Sequence, residues 1–495
     1  MASSSSGASS LFDPPKPPSS VGSAMSNNQD DRIVASLGTT TTTTTANTIP
    51  SAAPEKAPDD SSKLKTFLGI LRQFIGVSDI ATVRFSLPAQ LLEPTPNLEY
   101  WNYLDRPETF VSIGKSDDHL GRMLEVLRFW FTKDLKYIKG KPCKPYNSAL
   151  GEFFRCNWEI EDTEKPIAIT AHTSAASTTS TTISGSSERV KISYLTEQTS
   201  HHPPVSAFYV DCPQRGITAR GFDQISAKFT GTSIRVTPGQ HNLGIFITLR
   251  DRGNEEYQLT HPAAHLGGLL RGSLSITVSD TCFITCADTR IKAILQYLDE
   301  GWIGKTQNRV VGIIFRYDPE NDNKSKIKDV PESDVLARIE GCWHEKIYYT
   351  LTPTGSNICN PRKENKDKEK DREKHLLIDI APLFPASKLI PPDDQQLPNE
   401  SRKFWSRVTA AIGEKQYSLA TKLKQELEEK QRQLASARKE RNEEWKPRFF
   451  TVPVASSGKP ELTADGERLL KGLHEGNFRL EWMGPTANGD AAGSV

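Results

Sequence analysis

Glu197-Gln198-Thr199-Ser200-His201-His202-Pro203-Pro204 concentrates more chemistry than any other stretch of this 495-residue chain. Two adjacent imidazoles are followed by two residues that donate no backbone hydrogen bond. The flanks, Val190 to Leu195 and Val205 to Val210, are rich in β-branched and aromatic residues. That composition places the octapeptide where two strands meet, with the proline pair ending the first strand's ladder. A metal site is disfavoured, because neighbouring histidines on a strand face opposite sides and no Cys or carboxylate cluster lies at ligand spacing. General-base catalysis needs a nucleophile and an orienting group, and the chain has no Gly-x-Ser-x-Gly elbow. A polar rim holding an anionic group is the third possibility, with the imidazoles as donors. Histidines satisfied by backbone carbonyls are the purely structural alternative.

Working outward, Lys141 to Phe154 carries Lys144 and Asn147 ahead of Leu150-Gly151-Glu152. Lys144 offers a point charge suited to phosphate and Asn147 two amide donors, although the same residues also read as a plain solvated loop. Towards the C-terminus, Lys424, Glu428 and Arg432 are spaced four apart on one helix face. There they form either an exposed ion-pair ladder or a phosphate site in which Glu428 orients the two cations. Upstream, Leu64, Phe67, Leu68, Leu71 and Ile75 make one apolar stripe behind the Ser61-Ser62 cap, ended by Gly76. This predicts a helix that packs on a core, or one that closes a pocket and meets a bilayer when open. Leu120 to Leu135 repeats at helical spacing and predicts an amphipathic core helix capped by Asp117.

From Glu152 to about Leu351, ten short strand-like runs follow one another with turn signals and mostly no helices between them. They predict an α+β fold built on a large antiparallel, nearly closed β-barrel wide enough for a bulky ligand. Residues 1–60 are Ser/Thr-rich and predict a disordered tail, with loop insertions near 170–187 and 355–374 and a flexible tail over 483–495. The formal net charge of +1 disfavours a nucleic-acid partner. Hydrophobic content is 36% and mean hydropathy −0.51, a deficit that the polar segments explain. Seven scattered cysteines form no disulfide framework and read as reduced and cytosolic. No run approaches the ~20 apolar residues of a membrane-spanning helix, so a peripheral membrane surface is the expected contact. Neither a cofactor nor a metal is expected, and the chain should be a monomer.

Glu197 to Pro204 resembles the signature of the oxysterol-binding-protein-related lipid transfer proteins, normally Glu-Gln-Val-Ser-His-His-Pro-Pro, with Thr199 in place of Val. Lys144-Pro-Tyr-Asn-Ser-Ala-Leu-Gly-Glu152 resembles the family's Lys-Pro-Phe-Asn-Pro-x-Leu-Gly-Glu, departing at Tyr146 and Ser148. Trp445-Lys-Pro-Arg-Phe-Phe450 resembles its C-terminal Trp-x-Pro-x-Phe. The three motifs keep their order, and the resemblance spans Leu64 to Trp482. It implies a short form consisting of the lipid-binding domain over 61–482: a lid region over 61–97, a helical segment over 98–140, a barrel over 141–385 and helices over 400–450. It further implies a cytoplasmic, peripheral protein at endoplasmic reticulum, Golgi or plasma membrane contact sites. Such a protein exchanges a sterol or phosphatidylserine for phosphatidylinositol 4-phosphate. Headgroup contacts are then expected from Lys144, Asn147, His201, His202, Lys424, Glu428 and Arg432. Leu64, Phe67, Leu68, Leu71, Ile75 and Phe85 would face the apolar cargo. Leu150, Gly151, Glu152, Glu197, Gln198, Pro203 and Pro204 would be the structural frame. Two other classes stay open: a lipid esterase using His201 as base, and a membrane adaptor or sensor without transfer.

Overall fold

Fifteen strands form one antiparallel sheet among the described residues, which are 60–83, 87–139, 144–169, 189–269, 274–298, 308–352 and 373–480 of a computed structural model. Phe85, the tail up to residue 59, the 170–187 insertion, most of the 355–374 insertion and residues 483–495 lie outside them. The strands are β1 (Phe153–Glu161), β2 (Arg189–His201), β3 (Pro204–Cys212), β4 (Ile217–Asp223), β5 (Ile225–Phe229), β6 (Ile234–Pro238), β7 (Ile245–Leu249), β8 (Glu255–Leu259), β9 (Ala263–Gly267), β10 (Ser275–Cys286), β11 (Ile291–Tyr297), β12 (Arg309–Arg316), β13 (Val335–Cys342), β14 (Lys346–Leu351) and β15 (His375–Asp379). The helices are α1 (Asp60–Leu71), α2 (Asn97–Tyr100), α3 (Pro107–Val111), α4 (His119–Thr132), α5 (Lys136–Lys139), α6 (Ser401–Gly413), α7 (Tyr417–Glu440) and α8 (Ala464–Glu475).

The main path runs β1-β2-β3-β4-β7-β8-β10-β11-β12-β13-β14-β15. β10 is long enough to serve two ladders: Ile284 and Thr285 pair with β8, whereas Ser275 to Ser279 pair with β9. β9 continues into β6 and β5, so a three-stranded flap branches from the barrel wall. β1 and β15 do not pair with each other, so hydrogen bonds do not close the ladder. Instead the chain leaving β15 crosses to the free edge of β1, where Asn157 and Leu389 exchange both backbone hydrogen bonds at 2.9 and 2.8 Å. An uncovered edge would be a template for aggregation, and this strap removes it.

α4 fills much of the concave face, packing Met123, Leu124, Leu127 and Phe131 against strand residues such as Trp158, Ile192 and Tyr257. The amphipathic helix expected here is buried on every side from Leu120 to Thr132, and Asp118 rather than Asp117 caps it, accepting from Leu120 N and Gly121 N. Its polar residues are tolerated because each finds partners. Arg122 forks onto Glu255 at 2.8 and 2.6 Å, and Glu125 accepts from Gly114 N, Ser116 N and Ser116 Oγ.

α1 departs from its expected limits. It begins at Asp60, ahead of the Ser pair, and tightens into a 3₁₀ turn over Arg72–Phe74. That turn puts Phe74 into the core at 4% exposure and leaves Ile75 65% exposed, so Ile75 is not part of the packed stripe. Leu64 and Leu71 pack with Ala227, Phe229 and Ile234 of the flap. Below α1, Ile80 N donates to Ala227 O at 2.7 Å and the Asp79 carboxylate accepts from Ala227 N, which clips the helix to β5.

Candidate functional site

The octapeptide forms the tip of the β2–β3 hairpin, with His201 opposite Pro204 across a two-residue turn and a cis bond at His202-Pro203. A bulge between Gln198 and Ser200 precedes it and leaves Thr199 out of the register. Bulges increase local twist and re-aim side chains. Here the two imidazoles, which a regular strand would send to opposite faces, lie side by side with His201 Nδ1 3.1 Å from His202 Nε2. One ring donates to the other, and both are exposed. Among the described residues no group of three or more His, Cys or carboxylate side chains is arranged to hold a metal.

Thr199 uses its freedom to bind elsewhere. Its hydroxyl donates to Pro453 O at 2.6 Å, and its carbonyl accepts from Trp445 Nε1 at 3.1 Å. Trp445 covers Gly151, which adopts φ +76° and would drive a Cβ to 2.6 Å from Trp445 Cη2. Gly151 N in turn donates to Gln198 O, and Gln198 N to Glu152 O. Three motifs, the last of them 246 residues beyond the second, thus meet at Gly151, Thr199 and Trp445.

Two buried carboxylates brace this junction. Glu197 accepts from Arg448 N and Phe449 N at 2.8 and 2.9 Å, and Glu152 accepts from Ala149 N, Ser401 Oγ and Trp405 Nε1. Burial pushes both pKa values up to about 7, against the pull of those donors. Gln198 Nε2 holds Ser200 O at 2.8 Å, and Ser200 Oγ holds Pro203 O at 2.8 Å, which fixes the proline turn.

Lys144 Nζ donates to Asn147 Oδ1 at 2.6 Å, so the amide oxygen is committed to the ammonium and the Nδ2 group is its donor side. Tyr146, two residues on, stacks on Trp405 at 4.8 Å and shares an apolar cluster with Leu87, Ala89 and Leu423. Leu423 immediately precedes Lys424, which is only 3% exposed and pairs with Glu428 Oε1 at 2.7 Å. Phe67 of α1 packs against that same cluster, and Leu68 against the flap. Arg432 departs from expectation: it is exposed and pairs with Glu429, three positions before it on the helix, rather than with Glu428. From Arg432 both Glu428 and Glu429 are within reach of a helix neighbour, at i−4 and i−3.

The barrel interior holds a polar cluster that the sequence did not announce. Tyr103 donates to Asp223 Oδ1 at 2.6 Å and stacks on His261 at 5.3 Å. Lys133 lies over the Tyr103 and Trp130 rings at 4.8 and 4.5 Å and pairs with Asp134. Among the described residues His261 Nε2 has no hydrogen-bond partner. Burial raises Asp223 to about 7, and burial together with Lys133 lowers His261 to about 3, which keeps it neutral. Burial is the largest influence on Tyr103, Asp134, Tyr137, Asp223 and His261, yet each keeps part of its surface accessible. The one signal in the sequence was Lys133-Asp134 closing an otherwise apolar helical run.

A large antiparallel, barrel-like sheet with a helix lying on its flap and three sequence motifs joined around Gly151 defines a lipid-binding domain. The chain belongs to the oxysterol-binding protein family, whose sequence profile matches residues 66–467. It is 41% identical over 488 residues to Oxysterol-binding protein-like protein 1 of Schizosaccharomyces pombe, covering 83% of this chain and 91% of that one. It is 30% identical over 398 residues to human Oxysterol-binding protein-related protein 8, covering 80% of this chain but 38% of that longer protein. In fold it is similar to the Osh1 ORD domain solved with cholesterol, with a TM-score of 0.59 at 18% identity over 86% of this chain and 92% of that one. The Osh3 ORD of Saccharomyces cerevisiae, solved with PI(4)P, gives a TM-score of 0.52 at 17% identity over 86% and 95%. No helix among the described residues is long and apolar enough to cross a membrane.

Proposed function

We propose that this protein is a lipid carrier, not an enzyme, that exchanges a sterol for phosphatidylinositol 4-phosphate between membrane surfaces it visits peripherally from the cytoplasm. The lipid-binding unit spans 61–482. The observation that carries the proposal is that Tyr146, Leu423 and Phe67 share one apolar cluster, which makes the Lys144 loop, the Lys424 helix and the lid immediate neighbours. The His201-His202 turn joins them through the Gly151–Gln198 ladder.

In this mechanism the apolar body of either cargo occupies the barrel, where burial contributes ~25 cal/mol per Å² of apolar area. The phosphates stay at the rim, held by Lys144, Asn147, His201, His202 and Lys424, with Glu428 orienting Lys424 and Arg432 at the outer end. The single hydroxyl of a sterol suits the neutral, unpartnered His261 Nε2 inside; the two acyl chains of phosphatidylserine would bring nothing to satisfy it. Closure of α1 hides the cargo in transit, and competition for one cavity lets a phosphoinositide gradient drive sterol movement. Changing His201 and His202 together to Ala should abolish phosphatidylinositol 4-phosphate extraction from liposomes while sterol uptake and folding persist. Extraction that continues unchanged refutes the assignment.

A further inference from the structure

Among the described residues the flap meets the barrel wall at four places, and each interrupts regular strand geometry. Gln224 alone separates β4 from β5, residues 239–244 separate β6 from β7, and Thr260-His261-Pro262 separates β8 from β9. The fourth place is Asp280, at φ +69°, where β10 passes from its rungs with β9 to its rungs with β11. Such points absorb a change of φ and ψ more readily than a continuous ladder does.

Two side chains hold these crossings. Gln224 joins the first to the second: its carbonyl accepts from Gly239 N and its Oε1 from His241 N, both at 2.8 Å. Tyr103 joins the first to the third, since its hydroxyl donates to Asp223, the last residue of β4, and its ring stacks on His261. Tyr103 lies between α2 and α3 at φ +58°, a conformation unusual for a bulky aromatic residue. The loop around it imposes that conformation: Asn102, 1% exposed, accepts from Leu104 N through Oδ1 and donates through Nδ2 to Glu99 O, and Asp105 N donates to Lys133 O. Backbone strain sustained by its surroundings clusters at clamps and switch regions. Burial, followed by the Asp223 charge, raises the phenol well above its ordinary pKa, so it stays a donor.

We propose that the flap and α1 turn together as one hinged cover about Gln224, Pro262 and Asp280, and that Tyr103 is the latch that holds this cover closed. This deepens the lipid-carrier reading, on which it rests for what the cover retains. Whether α1 peels from the flap or lifts with it depends on where the helix is held more firmly. Leu64, Leu71, Phe74 and Ile80 are at most 8% exposed, in one cluster with Ala227, Phe229 and Ile234 of the flap, and Ile80 N and the Asp79 carboxylate add two hydrogen bonds to Ala227. Towards the Tyr146–Leu423 cluster the helix offers Phe67 and Ile70, both partly buried. The weaker seam therefore lies between α1 and the rim, and the flap travels with the helix once Tyr103 releases Asp223.

The test uses the full chain, hydrogen exchange read by mass spectrometry, and stopped-flow transfer of dehydroergosterol to and from phosphatidylcholine vesicles. Tyr103→Phe removes one hydrogen bond and keeps the ring. Amides of α1, β5 and β9 should exchange faster by one common factor of about threefold to tenfold, while those of β2 and β11 keep their rates. A latch that meets the cover and not the cargo quickens sterol uptake and release by the same factor and leaves the Kd unchanged, whereas a residue touching the cargo would quicken release alone. Asp223→Ala should raise the same rates, and the double variant should be no faster than the faster single one, as two halves of one bond require. Faster exchange confined to α1 would show the helix peeling from a stationary flap and overturn the proposal. So would faster exchange spread evenly over β2 and β11, release quickened without uptake, additive effects of the two variants, or no change at all. Should the chain take up no sterol, the carrier reading fails by itself, and the exchange pattern still decides the hinge.

Discussion

Replacing Gly151 by Ala tests whether the three motifs truly share one junction. At φ +76° a side chain costs about 1–2 kcal/mol in backbone energy alone, and the new Cβ would sit 2.6 Å from Trp445 Cη2. The indole is rigid, so it must swing away, and Trp445 Nε1 then loses Thr199 O at 3.1 Å, worth about 0.5–1.5 kcal/mol. The expected total is about 1.5–3.5 kcal/mol, read by guanidinium unfolding. A double-mutant cycle separates the parts. In a W445L background the clash and the hydrogen bond are both absent, and Gly151→Ala should cost only the backbone share of about 1–2 kcal/mol. An identical cost in both backgrounds would show that Trp445 does not rest on Gly151, and the junction would be refuted.

Leu71→Ala should destabilise the packing of α1 by about 2–5 kcal/mol, whereas Ile75→Ala should change it by less than about 0.5 kcal/mol, a contrast that proteolysis of α1 and retention of loaded sterol would both report. Arg122→Met strands Glu255 beneath α4 and should cost about 3–5 kcal/mol on chemical denaturation. Glu197, with a folded pKa raised to about 7 above an ordinary value of 4.5, binds more protons folded than unfolded. Its stabilisation is complete below about pH 4.5 and disappears as pH rises towards 7, so the stability of wild type relative to E197Q should fall across that window; a gap that widens in favour of wild type would contradict the burial argument.

The signature hairpin was legible because its flanks alternate with period 2 and its prolines mark the turn, and nine strands of the sheet coincide with runs read from the sequence. Two of the ten strand-like runs between Glu152 and Leu351, Leu269 to Val278 and Cys282 to Cys286, fall largely in one strand, β10, because Asp280 takes φ +69° without ending the ladder. β11 and β13 escaped because Ile291-Lys-Ala-Ile-Leu-Gln-Tyr297 and Val335-Leu-Ala-Arg-Ile-Glu340 are composed of residues that favour helices equally, and tertiary pairing decided. β5, β8, β9 and β15 are five residues each, too short for their pattern to stand out. α8 carried its own signals, Thr463 as cap and Gly476 at its end, which went unused. Within the site, motif residues could be named from spacing, but contacts between them could not. Arg432 and its choice of Glu429, the bulge at Thr199 and the gathering of Tyr103, Lys133 and His261 all arise from tertiary geometry that no local window contains.

Because β10 is shared between barrel and flap, the two bodies have a common spine. α1 rides on the flap and is clipped to β5 at Asp79 and Ile80, so tension on this helix is transmitted through β6 and β9 into the first half of β10. The second half of that strand is wall. Uncovering the cavity would therefore tug on the vessel itself, and a vessel filled by a rigid sterol would resist that tug differently from one holding two pliant acyl chains.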